Sequence, residues 1–580
     1  MTVERPAGVP QDDRAPEYGS DVVVEELRRL GYRYLPLNPG SSFRGLHDSV
    51  VNFAGNERPQ LLLCLHEEIA VSMAHAYAKA SGRPAAAAVH DLVGLMHASM
   101  AVYNAACDQV PLLLLGGSGP ADPTKRRSID WIHTASTQAE LVRDYVKWDA
   151  EALVPEDFRA AVARAHTIAH TGPPGPTYVS LDAEAQEQRL DAPVPPAAPA
   201  ATTIPALSPD PAALACAVDI LLSAERVGVV AGRLARDPRV TQPLVEIVEL
   251  LGAAYVDERN TVCFPTAHPQ NVNGDRNVLA DCDAVLSVGV GDLPGTVPAP
   301  QEGSPRHLIE LSYGDLALKS WSQERGQQLM SDVLLVADPV PGLHALLEAL
   351  RAKSTPDAFA ERRADAGQRC TQRRERLVRA RTANWDAAPI APSRMVSELW
   401  ETVRETNWML LLRNTRSWPE GVWQFSGAGD FLGHSVGAGV GYGPGALVGG
   451  ALAARDVGRL GVGIIGDGDF LMAAGALWTA VHYKIPMLVV INDNSSFYND
   501  EQHQAEVAER RRRPTENSWI GMRMAEPEID LAALARSYGC WAAGPITNPD
   551  LLRGVLGVAR DRALAGEVAV VQVRTDPNGA

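Results

Sequence analysis

The residues best suited to chemistry lie between Gly461 and Tyr498, GVGIIGDGDFLMAAGALWTAVHYKIPMLVVINDNSSFY. An apolar run ends at Ile465, and Gly466-Asp467-Gly468-Asp469 turns from it into an alanine-rich stretch. Glycine lets backbone approach a ligand closely, and the free N–H groups at a helix start attract an anion such as phosphate. A second apolar run ends at Ile491, followed by Asn492-Asp493-Asn494-Ser495-Ser496. Loops after adjacent parallel strands share one crevice at the carboxyl end of the sheet. Asp467 and Asn494, 27 residues apart, then face each other as oxygen ligands, with the Ser496 carbonyl as a third. Magnesium takes six oxygens at about 2.1 Å and commonly bridges protein oxygens and phosphates. The arrangement is that of a metal-held phosphate site.

The elements that must carry these loops are apolar runs with little alternation. They include Leu61–Leu65, Ala85–Val89, Pro111–Leu115 and Thr177–Leu181, then Val227–Ala231, Ala284–Val288 and His307–Leu311. A last set comprises Met409–Leu412, Gly461–Ile465, Pro486–Ile491 and Val568–Val573. Continuous apolar runs suit strands buried on both faces of a parallel sheet. The expected fold is α/β, with three consecutive doubly wound parallel-sheet domains at 19–185, 209–350 and 393–580. A loose tail (1–18) precedes them. A Pro/Ala-rich linker (186–208) and a charged connecting segment (351–392) separate them. The charge run ERRADAGQRCTQRRERLVRAR in that segment reads as a solvated connecting helix.

Composition narrows the function classes. The 580 residues are 46% apolar and 21% charged, as in a globular protein, and 53 basic against 70 acidic residues leave a net charge of −17. That balance argues against nucleic acid or an anionic membrane surface as partner. Seven cysteines without a CxxC pair fit reduced thiols rather than a disulfide scaffold or a zinc ribbon. No apolar run approaches the roughly 20 residues that span a bilayer. The N-terminus lacks a signal peptide's basic start and apolar middle, so a cytoplasmic location is expected.

GDG followed some two dozen residues later by an Asn-containing loop resembles the thiamine diphosphate (ThDP) signature of the acetolactate synthase, pyruvate decarboxylase and benzoylformate decarboxylase family. The likeness extends over nearly the whole chain and implies pyrimidine-binding, middle and diphosphate-binding domains in that order. It implies Mg²⁺ on Asp467, Asn494 and Ser496, and coenzyme contacts from Gly466, Gly468 and Asp469 as well. Such enzymes place a glutamate near the aminopyrimidine, in a His-Glu pair heading a helix. In LLLCLHEEIA this is Glu67, whereas Glu68, one step on, points elsewhere. Asn38-Pro39-Gly40-Ser41 resembles the NPGS turn of benzoylformate decarboxylase and implies that Ser41 meets the substrate carboxylate. His90, 23 residues after Glu67, resembles that enzyme's acid/base histidine, and His268 in CFPTAHP resembles one lent by the middle domain. Imidazole suits such proton transfers because it titrates near neutrality. His66, Asp91 and His97 fit structural roles.

The resemblance implies an enzyme that decarboxylates a 2-oxo acid and then releases an aldehyde or joins the fragment to a carbonyl acceptor. It also implies a homodimer or homotetramer whose site lies between two subunits. Several positions depart from the family pattern. Val440 stands where a larger residue usually wedges beneath the coenzyme, Leu92-Val93-Gly94 replaces a GPG-type loop, and Tyr498 replaces a glycine. These changes reshape the pocket and favour ligation. Asn499–Met522 reads either as an active-site cover or as a solvated surface helix. Trp418, Trp423 and Phe425 read as a pocket for aromatic groups or as core. The middle block is open to FAD or a nucleotide, although no residue set in 209–350 argues for either. Two alternatives stand beside this reading. One is a ThDP-dependent aldehyde lyase or carboligase that works without decarboxylation. The other is a non-catalytic subunit, against which Glu67, Asp467 and Asn494 all argue.

Overall fold

In a computed structural model the described residues are 4–8, 14–195, 206–259, 261–299, 306–313, 331–355, 358–382, 384–413, 418–433 and 437–576. The apolar runs form three sheets in which every strand pair is parallel. The first comprises β1 (Tyr34–Leu37), β2 (Gln60–Leu63), β3 (Ala86–Val89), β4 (Leu112–Ser118), β5 (Trp148–Ala152) and β6 (Pro176–Asp182), in the order β2-β1-β3-β4-β6-β5. The second comprises β7 (Val227–Ala231), β8 (Ala254–Asp257), β9 (Ala284–Val288), β10 (His307–Ser312) and β11 (Val333–Val336), ordered β11-β10-β9-β7-β8. The third comprises β12 (Trp408–Leu412), β13 (Leu460–Gly466), β14 (Met487–Asp493), β15 (Trp541–Ile546) and β16 (Val568–Arg574), ordered β12-β13-β14-β16-β15. These are three parallel-sheet α/β domains. Intervening helices supply the crossovers that parallel strands require.

The sheets fall into two compact units: the first and third belong to one, the second to the other. In the first unit the Glu67–Ser81 helix lies against the Tyr442–Asp456 helix, with glycines at the contact. A Cβ on Gly449 would stand 2.0 Å from the Met73 carbonyl oxygen, and one on Gly445 2.8 Å from Ser72 Cβ. Backbone therefore meets backbone, and Gly449→Ala is expected to cost about 1–3 kcal/mol through overpacking. A lower thermal midpoint, followed by circular dichroism, checks this; an unchanged midpoint would show that the helices separate freely. Arg33, Tyr34 and Tyr77 all hydrogen-bond Asp456 at the end of the same seam.

Within the expected tail, Glu4 is held by His482 and by the Tyr483 hydroxyl. Residues 196–205 of the expected linker lie outside the described residues. The charged run forms the Ala360–Thr382 helix, but it is not simply solvated. Ala366, Cys370 and Arg373 are buried, and the Arg362 guanidinium donates to the carbonyls of Leu221, Leu251, Leu222 and Ala224. Trp418, Trp423 and Phe425 are buried side chains packed on one another in the second unit, and are core. No cysteine among the described residues is paired, and no helix there is long and apolar enough to cross a membrane.

Candidate active site

Pairing of β13 with β14 sets Gly466 beside Asn492, so the loops that follow emerge together. Asp467 begins the helix after β13 and is 4% exposed. Its Oδ1 accepts from the Gly468 N–H at 2.9 Å, whereas its Oδ2 is buried without a hydrogen-bond partner. Burial, and then the neighbouring Asp493 carboxylate, raise its pKa to about 7. Two buried carboxylates side by side, one with an unanswered oxygen, fit a hard divalent cation. Asp493 is itself held by Gln572 Nε2 at 2.6 Å and Arg574 Nη1 at 3.1 Å. The Asn494 side-chain oxygen accepts from the Ser496 N–H at 3.0 Å, with Ser495 between them at φ +54°. The Ser496 hydroxyl donates to Glu501, which pairs with Arg523 at 2.6 Å. Glu501 lies in the first turn of the Tyr498–Arg510 helix, which is otherwise largely exposed.

Asp469 fastens a second glycine-rich turn to this loop. Its Oδ1 accepts from the N–H groups of Gly441, at 2.7 Å, and Gly443, at 3.3 Å. Gly441 has φ +101°, and Val440 beside it is 46% exposed. A side chain on Gly468 would have to displace the Phe497 ring, because its Cβ would stand 2.6 Å from it.

In the first sheet, β2 leads into the helix that Glu67 opens. His66 caps it, its Nδ1 accepting from the Glu68 N–H at 3.2 Å. Glu67 is buried, and its Oε2 lies 3.0 Å from His97 Nδ1. The His97 ring stacks on His66 at 4.7 Å between centroids. Gly94 keeps room here, since a Cβ would lie 3.1 Å from Glu67 Oε1. Glu68 takes another direction; burial, and then the charge of Asp469, raise its pKa.

His90 stands at the start of the Asp91–Cys107 helix with both ring nitrogens engaged. Nδ1 lies 2.9 Å from Ser42 Oγ, and Nε2 lies 3.0 Å from His133 Nδ1. The NPGS turn packs directly on this ring, because a Cβ on Gly40 would stand 2.2 Å from it. Ser42, rather than the half-buried Ser41, bonds the imidazole. Burial, and then His133, lower the pKa of His90. Asp91 is 1% exposed and adopts φ +36°, a strained conformation for a residue with a side chain. Its Oδ1 has no hydrogen-bond partner and its Oδ2 is 3.9 Å from His90 Nδ1. Asp91 thus lies on the Nδ1 side of the ring and His133 on the Nε2 side.

Burial raises the Asp91 pKa from 3.8 to about 6. The folded state resists its ionisation, so stability falls as pH rises from about 4 to about 6 and the penalty is constant above that. Asp91→Asn is expected to remove a pH-dependent component of up to about 3 kcal/mol, and asparagine also tolerates the positive φ. Thermal midpoints between pH 4 and pH 7 test this, and parallel curves for the two proteins would contradict it.

His268 lies in the second unit. Its Nδ1 accepts from the Gln270 N–H at 3.1 Å, its Nε2 is 3.2 Å from Glu249 Oε1, and its ring meets Phe264 edge-on. Ser42, His97, His133 and Asp493 are the site-forming residues that sequence reasoning did not single out as functional. Asp493, next to Asn494, Ser42, next to Ser41, and His97, three residues after Gly94, carried a local signal, and His133 did not.

Residues 18–143 match the N-terminal TPP-binding domain of thiamine pyrophosphate enzymes, and residues 414–573 match the C-terminal TPP-binding domain. A benzoylformate decarboxylase of Pseudomonas aeruginosa is 29% identical, over 94% of this chain and 97% of that protein. A probable acetolactate synthase large subunit of Methanocaldococcus jannaschii is 23% identical, over 96% and 92%. The crystal structure of benzoylformate decarboxylase from Polynucleobacter necessarius has the same fold, with a TM-score of 0.78 at 20% identity over 97% of this chain and 99% of that one. This chain therefore carries both the N- and the C-terminal TPP-binding domains of thiamine pyrophosphate enzymes, and over nearly its whole length it is similar to proteins named acetolactate synthase and benzoylformate decarboxylase.

Proposed function

We propose that the protein is a Mg²⁺- and ThDP-dependent enzyme that decarboxylates a 2-oxo acid and then releases an aldehyde or ligates the fragment to a second carbonyl compound. The observation that carries this reading is the Asp467 carboxylate, buried beside Asp493 with one oxygen unanswered and followed by helix-start N–H groups. Asp467, Asn494 and the Ser496 carbonyl would hold Mg²⁺, with Gly466, Gly468 and Asp469 shaping the diphosphate's surroundings. Val440 would lie beneath the coenzyme. Bound ThDP supplies an electron sink for the pair left behind when CO₂ departs. Glu67 holds a proton for the aminopyrimidine nitrogen. His90 gives or takes a substrate proton, and its contact with His133 hands that proton onward. Ser41 and His268 are assigned the substrate carboxylate and a second proton transfer. A homodimer or homotetramer completes the site, and the substrates are a small 2-oxo acid donor and a carbonyl acceptor.

The test is mass spectrometry of products formed with ThDP, Mg²⁺ and pyruvate, phenylpyruvate, indolepyruvate or benzoylformate, with and without an acceptor aldehyde. CO₂ with a free aldehyde identifies a decarboxylase, and CO₂ with a hydroxyketone identifies a carboligase. No CO₂ from any donor, with product from aldehydes alone, would replace this reading by a lyase that does not decarboxylate.

A further inference from the structure

In the second compact unit, one cleft combines charge, burial and an unanswered donor. The Ala360–Thr382 helix lines it with Arg373, Arg374, Leu377, Val378 and Arg381, at the three- and four-residue spacings of a single helix face. Thr266 and the segment from Glu420 form the rest of the wall, and the cleft holds about 280 Å³. Arg373 is 5% exposed and its Nε is buried without a hydrogen-bond partner. Glu420 and Asp257 act on it as neighbouring charges, and Arg374 opposes them. Arg374 is fixed by donating to the Ala267 carbonyl at 2.7 Å and the His268 carbonyl at 3.2 Å. Three guanidiniums and one carboxylate thus line a cleft in a chain whose net charge is −17.

A buried guanidinium with an unmet N–H is costly unless something supplies oxygen acceptors. Phosphate oxygens match the planar fork of arginine, and the apolar edge of Leu377 and Val378 leaves room for an attached organic group. We propose that this cleft binds a phosphate-bearing anion, with Arg373 and Arg381 on the phosphate oxygens. The charged run that reads as a solvated connector in the sequence is then one wall of a ligand site in the second unit. The anion comes either from free polyphosphate or from a nucleotide.

Calorimetry on the full chain separates these sources. The protein is first saturated with ThDP and excess Mg²⁺, so that the diphosphate crevice is filled, and then titrated at low salt with inorganic pyrophosphate or ADP. Uptake of one equivalent per chain is expected, about tenfold weaker in Arg381→Ala, as loss of one charge-assisted hydrogen bond implies, and weaker still in Arg373→Met/Arg381→Ala. Tighter binding of ADP assigns the site to a nucleotide, and equal binding assigns it to polyphosphate. The proposal is overturned if neither probe binds, or if Arg381→Ala binds as tightly as the native chain. The readout is binding rather than turnover, so it stands or falls independently of the proposed reaction.

Discussion

Glu67→Gln is expected to lower turnover of a 2-oxo acid by about a hundred- to ten-thousand-fold while ThDP is still taken up. Glutamine keeps the shape of the side chain in the pocket bounded by Gly94 and His97, so the helix start and the His66 cap persist. It loses the ability to exchange a proton with a ring nitrogen, and that exchange is the role assigned to the carboxyl. Calorimetry with ThDP and a CO₂-release assay separate the two effects. Undiminished turnover would remove Glu67 from the mechanism. Glu68→Gln is the matched control: this neighbour is turned towards Asp469, so its loss is expected to leave turnover within a fewfold of native.

Asp467→Asn is expected to weaken Mg²⁺-dependent ThDP uptake by about a hundredfold or more, because it removes the charged ligand and keeps only a neutral oxygen. The fold is expected to survive, since the substitution relieves one of two adjacent buried carboxylates. Isothermal titration of ThDP at fixed Mg²⁺ measures the loss, and circular dichroism verifies the fold. Native-like affinity would mean that the metal is held elsewhere. Ser496→Ala sharpens the comparison. Its proposed contribution is a backbone carbonyl, so truncating the hydroxyl bonded to Glu501 is expected to affect uptake far less.

The chemistry was most legible where it is local. Gly466-Asp467-Gly468 and His66-Glu67 each combine a strand end, a turn and a helix start within a few residues, which the sequence shows directly, although the role expected of Glu67 came only from the resemblance and not from its own surroundings. The partners of those residues were not legible in this way. His133 meets His90 across 43 residues through a short helix and irregular turns, and Ser42 meets it across 48. The same logic holds for the sheets. Interior strands such as β4 and β14 open on unbroken apolar runs (LLLL and MLVVI), whereas the edge strands β5 (WDAEA) and β15 (WAAGPI) carry acids, alanine, glycine and proline and are only partly covered. β1 is interior yet short, and proline interrupts its pattern. The 360–382 helix misled because its buried stripe, Ala366, Cys370 and Arg373, is narrow and ends in a charged residue.

The contact in which Gly445 and Gly449 admit the chain around Ser72 and Met73 acts as a ruler of fixed length. The distance it sets is dictated by peptide groups, which no exchange of neighbouring side chains alters. Side chains around this contact can therefore be exchanged while the spacing of the Glu67 helix and the Asp469-anchored turn stays constant.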